Sequence, residues 1–265
     1  MAKTPYVPAD MLKKMWRALI EFQMIEEGDK ILIGLSGGKD SQFMTAALAE
    51  IQKHSPKHFD LVCYTMDGMF AGGTFPGEQL KAFCAGFGIP HYSDQVPIEE
   101  LWAHRGNTPC FTCAYFRRAA MNRKAKELGC NKVALAHHND DAVETLVLNL
   151  FNSGQLKTFL PCTYLSRTGI TVIRPLLFYR EAEIIENGKK LGLVPLKNPC
   201  SYDGTTQRQS MKELVAELDS RIPQLYDHLA SAMRHNPEEE LWPAKLTQKE
   251  MLGRFREFWG KRKED

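Results

Sequence analysis

No apolar run in the 265-residue chain approaches the roughly 18 residues a membrane-spanning helix needs. The opening Met-Ala-Lys-Thr-Pro has no apolar segment of the secretory kind, so a cytoplasmic protein without a membrane partner is expected. Net charge is scarce too: 34 basic against 32 acidic side chains leave +2. Such a chain does not coat nucleic acid by bulk charge, though a local basic patch stays open. Internal repeats and low-complexity linkers are missing. So is an even set of cysteines. The seven are Cys63, Cys84, Cys110, Cys113, Cys130, Cys162 and Cys200. In a cytoplasmic protein this argues against a disulfide framework and leaves metal or redox chemistry. With 43% hydrophobic and 25% charged residues, the rest is ordinary globular composition, long enough for a large core.

What is present alternates. Apolar spacing predicts helices over 10–25 (Asp10 as N-cap), 41–51, 77–87, 113–128, 143–151 and 181–191. Short apolar runs predict strands over 31–35, 61–66, 132–136 and 170–173, with a turn at 137–141. From about residue 207 the pattern is helical, broken at Pro223 and Pro243. Alternating strands and helices imply an α/β fold, a Rossmann-like parallel sheet flanked by helices. Three parts are expected: an N-terminal amphipathic helix (1–27), the α/β domain (28–215) and a helical C-terminal tail (216–265). The first helix could cover the sheet or serve a homodimer.

In parallel α/β sheets, ligands bind beyond the carboxyl ends of the strands. The first such loop is Ser36-Gly37-Gly38-Lys39-Asp40-Ser41. Its glycines allow a tight turn that aims N–H groups at an anion, and a helix N-terminus follows. Lys39 adds a full charge, Ser36 and Ser41 add hydroxyls, and Asp40 could cap the helix or hold Mg²⁺. The spacing is neither Walker A nor Gly-x-Gly-x-x-Gly. It resembles the Ser-Gly-Gly-x-Asp-Ser loop of PP-loop ATP pyrophosphatases, which implies ATP cleaved between its α and β phosphates. A second loop, His137-His138-Asn139-Asp140-Asp141 followed by Glu144-Thr145, puts two carboxylates at a helix start. They suit Mg²⁺ or a helix cap equally well.

Cys110-Phe111-Thr112-Cys113 has three readings: a redox dithiol, half a zinc site, or part of an iron–sulfur cluster. No second Cys-x-x-Cys exists to complete a zinc site, and Cys200, after Pro199, is the natural third thiol. Cys63 reads as a core residue, Cys84 and Cys130 as core or helix-end residues, and Cys162, in a loop after Pro161, as the candidate for an unassigned fourth thiol. Between 105 and 126 there are six basic residues and no acid. Arg105, Arg117, Arg118, Arg123 and Lys124 thus form a candidate surface for a polyanion.

Several blocks together resemble the tRNA 2-thiocytidine synthetase (TtcA-like) family of PP-loop enzymes, within the adenine nucleotide alpha hydrolase-like superfamily. They are residues 24–30 running into Ser36–Ser41, Cys110-x-x-Cys113 with Arg117-Arg118, and Ala136-His137-His138-Asn139-Asp140-Asp141. Then come Ile173-Arg174-Pro175-Leu176, Tyr179-Arg180-Glu181, Pro199-Cys200 and Gln207-Arg208-Gln209. The resemblance implies a HUP-type fold and ATP-dependent thiolation of an anticodon-loop cytidine. It further implies a [4Fe–4S] cluster on Cys110, Cys113 and Cys200, with Lys39 and Asp40 in the chemistry. ATP would lie on Ser36–Ser41, Asp67, His138 and Asp141, with Mg²⁺ on Asp40 and Asp141. A sulfur donor such as a cysteine desulfurase would be a partner beside tRNA. Two other classes stay open: a sulfurtransferase acting on a small molecule, and a nucleotide-binding cluster sensor.

Overall fold

The computed structural model describes residues 6–70, 74–103, 109–196, 200, 207–234 and 246–260. Five parallel strands form one sheet: β1 (Asp29–Gly34), β2 (Phe59–Asp67), β3 (His91–Gln95), β4 (Lys132–Ala134) and β6 (Ile170–Ile173). A sixth, β5 (Cys162–Leu165), pairs antiparallel with β6 at one edge. The order is β3-β2-β1-β4-β6-β5. The chain starts in the middle, walks out to β3 and returns to β4 on the other side of β1. The loops after β1 and β4 therefore diverge at a topological switch point, where such sheets open a crevice.

β1 is apolar on both faces, as a strand covered on both sides must be. Ile31 and Ile33 join the larger core with α1 (Ala9–Glu21), α2 (Lys39–His54), α3 (Gly77–Gly86) and α7 (Glu181–Lys190). Leu32 faces the opposite core, filled by α4 (Ile98–Ala103) and α5 (Pro109–Glu127). Gly34 matters on that side. A Cβ there would lie 3.0 Å from Met121 Sδ and 3.3 Å from Leu135 Cδ2, so α5 closes in only because the side chain is missing. A third cluster joins α6 (Asn139–Ser153) to α8 (Gln207–Arg221) and α9 (Leu225–Ala232), while α10 (Gln248–Gly260) follows. Among the described residues no helix is long and apolar enough to cross a membrane.

The α/β architecture agrees with the sequence reading, and the differences are local. α1 is capped by Pro8, not Asp10, which sits in the first turn where its charge suits the helix dipole. It stops at Glu21, and Gln23 takes a left-handed φ of 48° that turns the chain toward β1. The apolar face of α1 (Leu12, Met15, Ala18, Leu19) lies in the main core. The expected turn at 137–141 holds the start of α6, which begins at Asn139 rather than 143. β5 went unread because one of its side chains, Tyr164, is exposed and none of the others is fully buried. The division at 215/216 falls inside α8, where Val215 is buried against Val143 and Val147.

Candidate functional site

The loop after β1 is built by its own side chains. Ser41 Oγ donates to Gly38 O (3.0 Å), accepts from the Ser36 N–H (3.2 Å) and lies 3.1 Å from Ser36 Oγ. Ser36 Oγ accepts from the Gly38 N–H at 3.3 Å. Gly37 has φ +82°, and a Cβ there would come 3.2 Å from Leu80 Cδ2 and 3.3 Å from Leu196 Cβ. Backbone conformation and space both require glycine. Gly38, the N-cap of α2, offers no capping side chain, which leaves the helix N-terminus suited to an anion. A later segment is tied onto this loop. The Leu196 N–H donates to Gly37 O (2.9 Å), and Gln42 Nε2 donates to both Gly37 O (3.0 Å) and Val194 O (2.9 Å).

Lys39 is engaged by acids. Its Nζ lies 2.8 Å from Glu181 Oε1 and 3.1 Å from Asp40 Oδ2, and Glu181 also pairs with Lys212 at 2.6 Å. Burial pushes the ammonium pKa down, but the bond to Glu181 and the charge of Asp40 outweigh it and raise it. Burial likewise works against ionised Glu181, and Lys212 with Lys39 reverses that, so its pKa is lowered.

The loop after β4 meets this one, as the switch point requires. His138 is buried at the N-cap of α6, with Nε2 3.7 Å from Asp40 Oδ1 and 3.6 Å from Asp141 Oδ2. Asp40 Oδ1 is buried and accepts no hydrogen bond among the described residues. Asp141 Oδ2 accepts the His138 N–H at 2.9 Å. Asp140 Oδ2 lies 3.5 Å from His138 Nδ1, and the carboxylate also reaches α7, accepting Arg180 Nε–H (3.1 Å) and the Glu181 N–H (2.8 Å). The guanidinium of Arg180 stacks 3.4 Å from the Tyr226 ring centroid. Both carboxylates therefore flank His138, Asp140 at Nδ1 while tying α6 to α7, and Asp141 at Nε2, the nitrogen that also faces Asp40. Burial alone would raise the Asp140 pKa; His138, the Glu181 N–H and Arg180 bring it down to about 2. The His138 pKa is raised, since Asp140, Asp141 and Asp40 outweigh the burial that lowers it.

Asp67 ends β2. Its carboxylate accepts the Met69 N–H (2.9 Å) and Gln95 Nε2–H (3.3 Å). It opens onto a hollow of about 590 Å³ shared with Phe75, Ser93, Asp94, Gln95 and Arg123.

α5 returns the chain from β3 to the parallel β4, so it runs against the strands and starts at their carboxyl edge. That start carries Cys110, exposed, and Cys113, partly buried. Cys113 and Cys200 pack against the same apolar cluster, the one that α5 helps to fill. Arg117 Nη2 donates to Cys113 Sγ at 3.4 Å. Cys63 and Cys84 are fully buried and Cys130 is buried, as core residues should be. Cys162 packs against the opposite face of the sheet and donates to Phe22 O at 3.5 Å. Among the described residues no three His, Cys, Asp or Glu form a group that could hold one metal ion. A cubane cluster asks for less convergence, because each thiolate binds its own iron, and the soft donor set fits one.

Arg105 lies outside the described residues. Arg117 and Arg118 are exposed. Lys124 is mostly buried, 3.0 Å from Asp94 and 2.8 Å from Glu127; Arg123 lies 3.7 Å from each of the same two acids. A count over 105–126 could not see these acids, and the basic surface beside the thiols narrows to Arg117 and Arg118. Sequence reasoning also missed what Gln42, Asp140, Arg180, Glu181 and Lys212 do. The signal for Arg180 and Glu181 was their place at a helix start at the carboxyl edge.

The family model of the PP-loop domain (ATP_bind_3) matches residues 11–218. The chain is 34% identical over 230 residues to the tRNA-cytidine(32) 2-sulfurtransferase of Paracidovorax citrulli, covering 85% of this chain and 73% of that one. It is 34% identical to the enzyme of the same name from Pelobacter propionicus, covering 85% and 87%. Among solved structures it is similar to the U34-tRNA thiolase NcsA of Methanococcus maripaludis, determined with its [4Fe–4S] cluster. The TM-score there is 0.71 at 24% identity, covering 90% of this chain and 83% of that one.

Proposed function

This chain belongs to the PP-loop domain family, and from that premise we propose that it is an ATP-dependent, iron–sulfur-dependent tRNA thiolase. Its product would be 2-thiocytidine in the anticodon loop. The observation that carries the reading is convergence. The Ser36–Ser41 loop, the His138–Asp141 loop and the thiols of α5 all stand at one edge of one sheet. The relatives named as tRNA-cytidine(32) 2-sulfurtransferases support the choice of acceptor.

The C2 oxygen of cytosine is a poor leaving group, and attachment of AMP makes it a good one. Ser36, Gly37, Gly38 and Ser41 would bind the ATP phosphates through loop N–H groups and hydroxyls. Lys39 would turn from Glu181 to the departing pyrophosphate and hold its negative charge. Asp67 and His138 complete the nucleotide site. Asp40 and Asp141 would hold Mg²⁺, for which the undonated, buried Asp40 Oδ1 is a fitting ligand. Cys110, Cys113 and Cys200 would hold the [4Fe–4S] cluster, which when bound offers an iron with no protein ligand as a place to carry sulfide. Arg117 would orient the Cys113 sulfur through its N–H. Arg117 and Arg118 would track the RNA backbone, joined by Arg105. Single-stranded anticodon loops splay a base out at low cost. A cysteine desulfurase is the proposed sulfur donor, a homodimer the proposed assembly and the cytoplasm the proposed location.

The test is thiolation itself. Protein purified without oxygen and reconstituted with iron and sulfide is given ATP, Mg²⁺ and unmodified tRNA, and the digested nucleosides are weighed by mass spectrometry. A cytidine that exchanges oxygen for sulfur only with ATP is expected. No thionucleoside from protein with an intact cluster would reject the tRNA acceptor and favour a small molecule.

A further inference from the structure

Arg174 is part of the family resemblance, yet nothing in the proposed chemistry uses it. It follows β6 directly, at the carboxyl edge, beside the loop that leaves β4. The Leu135 N–H donates to Ile173 O at 2.9 Å, which keeps the two loop starts side by side. The guanidinium is held from several directions. Nε donates to His137 Nδ1 (3.3 Å), and Nη1 donates to Leu160 O (2.5 Å) and Thr163 Oγ1 (3.3 Å). Its central carbon lies 4.9 Å from the Phe159 ring centroid, and that ring packs 5.0 Å from His137.

None of these partners is a carboxylate. Among the described residues no acid pairs with Arg174, whereas Lys39, Lys132 and Arg180, also sheltered, each have at least one. Burial works against its charge; the nearby Cys162 sulfur opposes that only in part, and among the described residues no carboxylate does. Nη2 takes part in none of these bonds, and the residue is only partly buried, so a ligand can reach it. A cation fixed by neutral acceptors at the ligand edge, its fork partly uncommitted, is suited to a phosphate.

We propose that Arg174 is an anion-binding residue of the crevice, whose guanidinium takes the oxygens of a phosphate. Two sources share that chemistry: a phosphodiester of the acceptor RNA, or the α-phosphate of ATP. Only this choice of sources rests on the thiolase reading.

The experiment uses full-length, cluster-reconstituted protein with Arg174→Met and Arg174→Lys. It measures affinity for α,β-methylene ATP, affinity for unmodified tRNA across a salt series, and melting temperature. If the phosphate belongs to RNA, Arg174→Met leaves the nucleotide affinity alone. It then weakens tRNA binding and makes the log–log salt slope shallower by about 1, while Arg174→Lys keeps the slope. If it belongs to ATP, nucleotide binding weakens about tenfold and the tRNA slope stays. A folded Arg174→Met that binds both ligands as the wild type does overturns the proposal. Should Arg174→Met not fold, Arg174→Lys keeps the charge and loses the fork; it should weaken one ligand about threefold, and unchanged binding overturns the proposal. If the wild type binds neither ligand, the thiolase reading fails by itself. Inorganic pyrophosphate then decides for Arg174: it should raise the wild-type melting temperature more than that of the variants, and equal rises overturn the proposal.

Discussion

Glu181→Gln offers a sharp test of how the phosphate loop works. Lys39 is held 2.8 Å from Glu181 and 3.1 Å from Asp40. A phosphate that claims Lys39 must displace Glu181. At 2.8 Å and an effective dielectric near 20, the gross attraction is about 6 kcal/mol. Most of that is offset. Lys39 and Glu181 are 30% and 20% exposed, and Glu181 keeps Lys212 at 2.6 Å after Lys39 leaves. A net competition of about 1–2 kcal/mol remains, in line with charged hydrogen bonds in partly solvated sites. Gln keeps the size and one acceptor while removing the charge. The helix start survives, because the bond to Asp140 comes from the backbone N–H of residue 181. Glu181→Gln should therefore tighten binding of a non-hydrolysable ATP analogue about 5- to 30-fold. Isothermal titration reads this directly, with thermal melting as the control for folding. A folded variant that binds the analogue no better than wild type would refute the idea that Glu181 stands in for phosphate on Lys39.

Other expectations follow from the same geometry. Asp140, with its pKa lowered from 3.8 to about 2, contributes about 2 kcal/mol above its unfolded pKa, lost as pH falls through the folded value. Asp140→Asn should thus cost about that much near neutral pH, and urea melts of variant and wild type should converge in acid; a constant gap would reject the assignment. His138 works the other way: its stabilisation is full below about pH 6.5 and fades as pH rises through its raised folded value. Gly37→Ala meets both φ +82° and the crowding at Leu80 and Leu196. It should destabilise by about 1–3 kcal/mol and weaken nucleotide binding, so unchanged melting would argue against the loop geometry. Lys39→Ala should stop pyrophosphate release and leave iron content unchanged, while Cys200→Ala should lose iron and keep nucleotide binding. The opposite pattern in either variant would separate the proposed site residues from their roles.

The fold was legible where burial is symmetrical. β1, β4 and β6 are short apolar runs between turn signals, and 170–173 was read with the bounds it has. Elements failed to show where apolar spacing is weak. β5 carries an exposed Tyr164 and half-buried neighbours, so no alternation reaches the sequence. The start of α6 is hidden in the sequence because its first turn is polar, made of Asn139, Asp140 and Asp141. Those residues are polar because they cap two helices and face His138. A polar helix start at the carboxyl edge looks like a turn for the same reason that it is useful.

The site divides along the same line. Backbone requirements were visible, since Gly37 and Gly38 have few substitutes in a tight anion-cradling turn. Charge pairing was not, because it depends on what the fold brings together. Lys124 reads as a free cation until Asp94 of β3 arrives at 3.0 Å. Asp140 and Asp141 read as equals until Arg180 and the N-terminus of α7 claim one of them. Arg174 is the converse case, a charge that no carboxylate among the described residues pairs with, at the edge where ligands bind. Where folding supplies an opposite charge, the residue is accounted for by stability. Where it supplies only neutral acceptors, orientation has been provided and neutralisation has not, and a charged ligand completes the site.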